Sequence, residues 1–286
     1  MLKVPKPTLL SASVYSDCIS VFQDVALRIR LEACKPMIAD AEREFELKIT
    51  KGLIYTIAQE TIVNGNVTKD ELKKVYSNQM VGSSTGRIYY DKLLKAAKND
   101  LCPLCAHRDA TTLDHYLPKA KYPRLSVVPI NLVPACKDCN TGKLTSFPTT
   151  PEEETIHPYY DDIELDQWLE AEISRTIPLS VSFYVVHAKG WSNLLFERTK
   201  NHFKSYKLGL LYSTQAGREL TARKQQLINN YTPELGSANV KKLLLDEAIS
   251  RGTSNINSWQ SALYRCLAND DWFCNGGFNQ IGDNIL

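Results

Sequence analysis

No stretch of this chain approaches the roughly 18–20 uninterrupted apolar residues that a membrane-crossing helix needs, so a membrane-spanning protein is not expected. A dominant sign of charge is also missing. Lys and Arg number 34 against 32 Asp and Glu, for a net charge of +2, so overall charge does not announce a nucleic-acid binder. Cysteine is sparse, with 8 in 286 residues, which excludes a disulfide-dense secreted scaffold. Internal repeats and low-complexity segments are absent. The start, "MLKVPKPTLLSASVYSDC", carries two lysines and two prolines but no apolar run fit for a signal peptide. A cytoplasmic protein is the expectation.

What is present is ordinary for a globular chain: 43% hydrophobic and 23% charged residues. The length allows about two domains and a core of useful size. Residues 14 to 100 read as helical. "VFQDVALRIRLEACKPMIADAEREFELKI" mixes apolar and charged residues at helical spacing, with Pro36 as a break or a first-turn residue. "TKDELKKVYSNQM" opens with Thr68 and has Glu71 three residues later, the capping-box pattern. "GRIYYDKLLKAAKN" places Ile88, Leu93, Leu94 and Ala97 on one face. These helices read as a scaffold.

Residues 152 to 172 carry nine acidic side chains and no Lys or Arg, which suggests a solvated connector or a helix start. "SVSFYVVHAKG" alternates as a strand would. From Lys189 to Lys224 there are eight Lys or Arg and two acids, interleaved with Trp191, Phe196, Phe203, Tyr206 and Tyr212. This is either a phosphate-binding face or an ordinary charged helix exterior. "SWQSALYRCLAND" keeps Trp259, Ala262, Leu263, Cys266 and Leu267 on one helical face. Cys266 therefore reads as a core residue, and so do Cys18, Cys34 and Cys274, which lack partners at ligand spacing.

The other four cysteines form two C-x-x-C pairs, Cys102-Pro-Leu-Cys105 and Cys136-Lys-Asp-Cys139. The two-residue gap lets both thiolates of a pair reach one ion, and four thiolates make a closed tetrahedral structural Zn2+ site. A thioredoxin-like redox motif would need a single pair at a helix start and fits badly. His107 can replace a cysteine, but nothing requires it. Thirty residues separate the pairs, more than a minimal zinc ribbon uses. Within and just after that span lie Asp114, His115, Pro118, Asn131 and Asn140.

The segment "CPLCAHRDATTLDHYLPKAKYPRLSVVPINLVPACKDCNTGK" resembles the HNH motif of the ββα-metal (His-Me finger) endonucleases. "LDHYLP" matches the first strand of that motif, "INLVPAC" its central Asn segment, and "CNTGK" the start of its metal-binding helix, with Asn where many members have a final His. The resemblance covers residues 101 to 147, about one sixth of the chain. It implies an α+β, mostly helical protein. A helical region over 1–100 and a mostly helical region with a short β segment over 151–286 would flank a zinc-stapled ββα-metal nuclease core over 101–150.

The chemistry of phosphodiester hydrolysis fits these residues. His115 suits a general base, because imidazole titrates near neutral pH. Asp114 and Asn140 offer oxygen ligands to Mg2+ or Mn2+, which would stabilise the phosphorane and the leaving 3′ oxygen. Asn131, by the resemblance, braces the loop and orients His115. Lys143, Lys119 and Lys121 are candidate phosphate contacts. Each also has a plainer reading: Asn131 as a turn cap, Asn140 as a helix N-cap, Lys143 as a solvated side chain. His157, in "IHPYYDD", reads as packing before it reads as a ligand. A zinc deaminase is excluded, since it needs His-x-Glu, whereas His107 and His115 are followed two residues on by Asp109 and Leu117.

"DHYLPK" with the late "FCNGGF" is similar to the HNH proteins of prokaryotic anti-phage defence modules such as the Septu type. That implies a role in anti-phage defence and an ATPase partner, and the leading expectation is a metal-dependent endonuclease acting on DNA. The competing expectation is a zinc-stapled nucleic-acid or protein binding module without catalysis.

Overall fold

The computed structural model describes residues 1–143, 146–232 and 236–282. Leu144 and Thr145, inside the expected nuclease segment, lie outside the described residues, as do 233–235 and 283–286 of the expected C-terminal region. The fold is α+β and mostly helical. Its described strands form three two-stranded antiparallel sheets. No helix among the described residues is long and apolar enough to cross a membrane.

The chain divides into two compact units, Met1–Asp162 and Ile163–Leu286. The helical region expected over 1–100 and the cysteine-rich segment expected over 101–150 thus share one unit. The reason is packing, because the helices of the first region bury their apolar faces around the short strands of the second.

In the first unit, α1 (Ser11–Ser20), α2 (Val25–Glu32) and α3 (Lys35–Ile49) come first. Asp24 caps α2 by accepting from Leu27 N, and Pro36 sits in the first turn of α3. Ile38, Ala41, Phe45 and Ile49 form the buried stripe of α3. The hairpin β1 (Ile62–Val63) and β2 (Val67–Thr68) leads into α4 (Lys69–Lys74), where Thr68 and Glu71 make the expected reciprocal capping box. One π-turn, Val75–Met80, continues from α4 into the approach to α5 (Ser84–Leu94).

Leu93 and Ala97 are buried as expected, but Ile88 is 68% exposed. Gly86 explains this. A Cβ there would collide with the Gln79 carbonyl, so the Gly86 side of α5 lies against the π-turn. Tyr90 and Leu93 follow Gly86 inward at helical spacing, and Ile88, on the opposite side, faces out.

Strand β3 (Thr112–His115) pairs antiparallel with β4 (Leu132–Ala135), and α6 (Lys137–Lys143) follows β4 directly. The register sets Thr112 opposite Ala135 and His115 opposite Leu132. Side chains alternate along a strand, so Thr112 and Asp114 share one face of β3, and Leu113 and His115 share the other.

In the second unit, β5 (Leu169–Ser174) pairs with β6 (Ser180–Val185). Strand β6 lies within "SVSFYVV". Strand β5 begins inside the acidic stretch read as a connector or helix start. Leu169 and Ala171 point inward while Glu170 and Glu172 alternate with them toward solvent, so the acids mark the outer edge of a strand. Helices α7 (Asn193–Ser205), α8 (Leu208–Asn230), α9 (Gly236–Ser254), α10 (Trp259–Asn269) and α11 (Asp271–Cys274) complete the unit. Cys18, Cys34 and Cys274 are buried, whereas Cys266 is half-buried.

Candidate active site

The four cysteines of the two C-x-x-C pairs are all buried, and their sulfurs lie within 4.8 Å of one another. A tetrahedron of Zn–S bonds of about 2.3 Å has sulfurs about 3.8 Å apart, so the cluster fits one zinc ion. Among the described residues this is the one group of three or more His, Cys, Asp or Glu side chains close enough to share a metal, and His107 is not part of it.

Local structure builds each half. Ala106, at a positive φ of 49°, turns the first knuckle, and Cys102 N donates to Arg108 O. In the second half Cys139 N donates to Cys136 Sγ at 3.3 Å. Arg108 and Asp138 pair at 2.9 Å and tie one half to the other.

Between the halves, β3 and β4 bring the other candidates together. Asn131 is fully buried. Its Oδ1 accepts from Leu117 N at 2.7 Å, and its Nδ2 donates to Leu117 O and Leu125 O at 3.0 and 3.1 Å. It closes the loop that leaves β3 and returns at β4.

His115 is 7% exposed, not the open imidazole that a substrate-facing base would show. Its Nε2 lies 2.9 Å from Ser126 O. A carbonyl oxygen only accepts, so Nε2 carries the proton and Nδ1 holds the lone pair. Tyr76, from the π-turn, covers the ring edge-on with centroids 4.4 Å apart, and its hydroxyl donates to Leu113 O at 3.4 Å. Burial pushes the imidazole pKa down to about 3, helped by the charge of Lys119, while the bond to Ser126 opposes the shift. The ring is therefore neutral at neutral pH.

On the other face of β3, Asn140 donates from Nδ2 to Thr112 Oγ1 at 2.8 Å and to Leu113 O at 3.3 Å, pinning α6 to the strand. Asp114 is 5% exposed and lies 3.6 Å from the Lys143 ammonium. Burial pushes the Asp114 carboxyl up, and Lys143 pulls it back down.

Lys143 differs from the phosphate contact expected of it. It is 8% exposed, and its ammonium donates to Tyr116 O and to His115 O, the latter at 3.3 Å. Lys119 is half-buried, its ammonium 4.7 Å from the centre of the Tyr76 ring and close enough to Asp114 and His115 to act on both. Lys121 is exposed, 5.7 Å from the Phe147 ring centre. His157 packs among Phe45, Tyr116, Tyr159 and Tyr160, as its packing reading anticipates.

The donor set for Mg2+ or Mn2+ does not fit as it stands. Such an ion takes oxygens at about 2.0–2.1 Å along with several waters. Here the Lys143 ammonium already faces Asp114, 3.6 Å away, while Asn140 gives its Nδ2 to β3 and keeps Oδ1 as its ligand atom. Two residues that shape the site had no signal in local sequence: Tyr76, which shields His115, and Ser126, whose carbonyl sets the tautomer.

In the second unit the basic segment splits by depth. Lys200, Lys204 and Lys207 are exposed, while Arg198, His202, Tyr206 and Tyr212 are buried. Phe203 meets Tyr212 with ring centroids 6.1 Å apart. The interleaved tyrosines therefore serve the core and do not form a stacking platform.

The chain is 30% identical over 296 residues to protein ea31 of Escherichia phage lambda, covering 96% of this chain and 100% of that protein. No protein-family profile matches the chain. No solved structure matches it.

Proposed function

For a chain that belongs to the family of protein ea31 of phage lambda, we propose the function of an HNH, or ββα-metal, endonuclease that hydrolyses phosphodiester bonds of DNA. One observation carries this reading. Strand β3 with Asp114 and His115, the Asn131-braced loop and strand β4 lie between the two halves of a four-cysteine clamp, and helix α6, with Asn140 directly after Cys139, follows in the order of that motif.

His115 is the general base. Its Nε2–H is anchored on Ser126 O, so Nδ1, once uncovered to water, takes a proton from the water whose oxygen attacks phosphorus, and the 3′ oxygen leaves and takes a proton from solvent. Asn131 holds the loop that carries Ser126 through its bond to Leu125 O. Lys119 is the lysine best placed to meet a phosphate beside His115. No step is assigned to Mg2+ or Mn2+, because the Lys143 ammonium holds Asp114 in this arrangement. Zinc, held by the four cysteines, is structural.

With Tyr76 over the imidazole the site is closed, and cleavage needs Tyr76 to move. This suits a nuclease switched on by an ATPase partner in a cytoplasmic anti-phage defence module. A zinc-stapled binding module without catalysis is the second reading, favoured by the burial of both His115 and Asp114.

The test is plasmid cleavage by the purified chain with Mg2+ or Mn2+, alone and with candidate ATPase partners, beside His115→Ala. Cleavage that His115→Ala abolishes supports the endonuclease. DNA binding with no cleavage under any of these conditions supports the binding module.

A further inference from the structure

Lysine is almost never buried unless its charge is met. The Lys143 ammonium has three protons. Two go to the main-chain oxygens of His115 and Tyr116, and the third is left for Asp114 Oδ2, 3.6 Å away. The Tyr116 ring, with its centre 4.8 Å from Nζ, closes another side. A carboxylate and two carbonyl oxygens are the donors that a hard divalent cation prefers. The end of β3 is thus built as a cage for a positive charge, and the chain's own lysine fills it.

We propose that Lys143 is a resident cation that competes with a divalent metal ion for Asp114, so that an ion binds there only when the ammonium leaves. The inference rests on the endonuclease reading of this site. The fold allows the exchange. Cys139, held in the zinc cluster, fixes the first turn of α6, and Lys143 ends the helix one turn further on. The long side chain can swing away by rotation about its own bonds while Asn140 keeps the helix bonded to β3. While the ammonium stays, its charge repels any second cation from the same oxygens.

The experiment uses the full zinc-loaded chain and measures Mn2+ uptake by the electron paramagnetic resonance of the free ion. Wild type is expected to bind Mn2+ weakly. Lys143→Met, which keeps the stem and removes the charge, should bind at least tenfold tighter. Lys143→Arg should stay with wild type, and Lys143→Met combined with Asp114→Asn should lose the gain. Lys143→Met binding no tighter than wild type, or a gain that survives Asp114→Asn, overturns the proposal.

Lys143→Met leaves Asp114 buried without its partner and can fail to fold, so a second measurement needs no variant. Acetylation of the Lys143 amine in wild type, read by mass spectrometry, should be slow and should speed up several-fold at saturating Mg2+. Protection unchanged by Mg2+ refutes the exchange. Both readouts are independent of cleavage, and His115→Ala, which keeps the main-chain oxygen, should leave them as they are. A chain that exchanges its cation yet never cuts nucleic acid sinks the endonuclease reading alone.

Discussion

His115→Ala separates a catalytic base from a packed core histidine only when stability is read beside activity. The imidazole is 7% exposed, donates to Ser126 O at 2.9 Å and stacks edge-on against Tyr76. Removing it leaves a buried carbonyl without its donor, at a cost of about 1–3 kcal/mol. It also removes a ring pair worth about 0.5–1.5 kcal/mol. The expected loss is roughly 2–4 kcal/mol, or about 4–16 °C in Tm for a unit of this size. A general base contributes about two to four orders of magnitude to rate, and cleavage should fall by that much.

A destabilised protein also cuts less, so Tyr76→Leu is the control. It breaks the same ring contact without touching the imidazole. Its Tm should fall comparably, while cleavage is kept or raised because His115 is uncovered. Cleavage and thermal melting are measured on the same preparations, well below both melting temperatures. Equal cleavage by His115→Ala and parent refutes the catalytic assignment. So does a loss of cleavage that simply tracks Tm in both variants.

One zinc per chain is expected by elemental analysis, and stripping it should cost on the order of 10 kcal/mol, enough to unfold the Met1–Asp162 unit. Cys102→Ser or Cys139→Ser should therefore lose fold and activity together, and a folded, zinc-free preparation contradicts the clamp. DNA affinity should fall with salt as counterions are released. Reversing the exposed charges of Lys200, Lys204 and Lys207 should flatten that dependence, and unchanged binding would make them ordinary helix exterior. The depressed pKa of His115 also sets a pH dependence. With a folded value of about 3 against an ordinary 6.5, the unfolded chain protonates first. The stability from the buried neutral ring is thus fully present above pH 6.5 and lost as pH falls toward 3, by at most about 1.4 kcal/mol per unit. Chemical denaturation of wild type and His115→Gln between pH 7 and 4 should give different slopes, and parallel lines contradict a neutral buried ring.

The features legible in the sequence were those whose geometry is local. Two thiols three residues apart meet wherever the chain turns, so both halves of the four-cysteine cluster could be read from spacing. The capping box at Thr68 and Glu71 and the strand at Ser180–Val185 are equally local. The features that escaped depend on which element arrives from a distance. Ile88 turned outward because Gly86 lets α5 press against the π-turn. Tyr206 and Tyr212 went into the core because the buried side of their helices decides where an aromatic points, whatever charges stand between them.

The pair Asp114 and His115 shows where the local argument stops. Strand alternation sends two sequence neighbours to opposite faces of β3, and each face meets a different part of the chain. Asp114 meets α6, which is tied to β4 and the four-cysteine cluster, so its partner Lys143 comes from the same short segment of chain. His115 meets Tyr76, from the helices that the sequence presents as scaffold. The motif can supply a base and a carboxylate, but exposure of the base is decided by a residue outside it. If His115 is catalytic, the first hundred residues do more than support the site, because Tyr76 of the Val75–Met80 turn lies over the imidazole and no cysteine of the clamp comes from that turn.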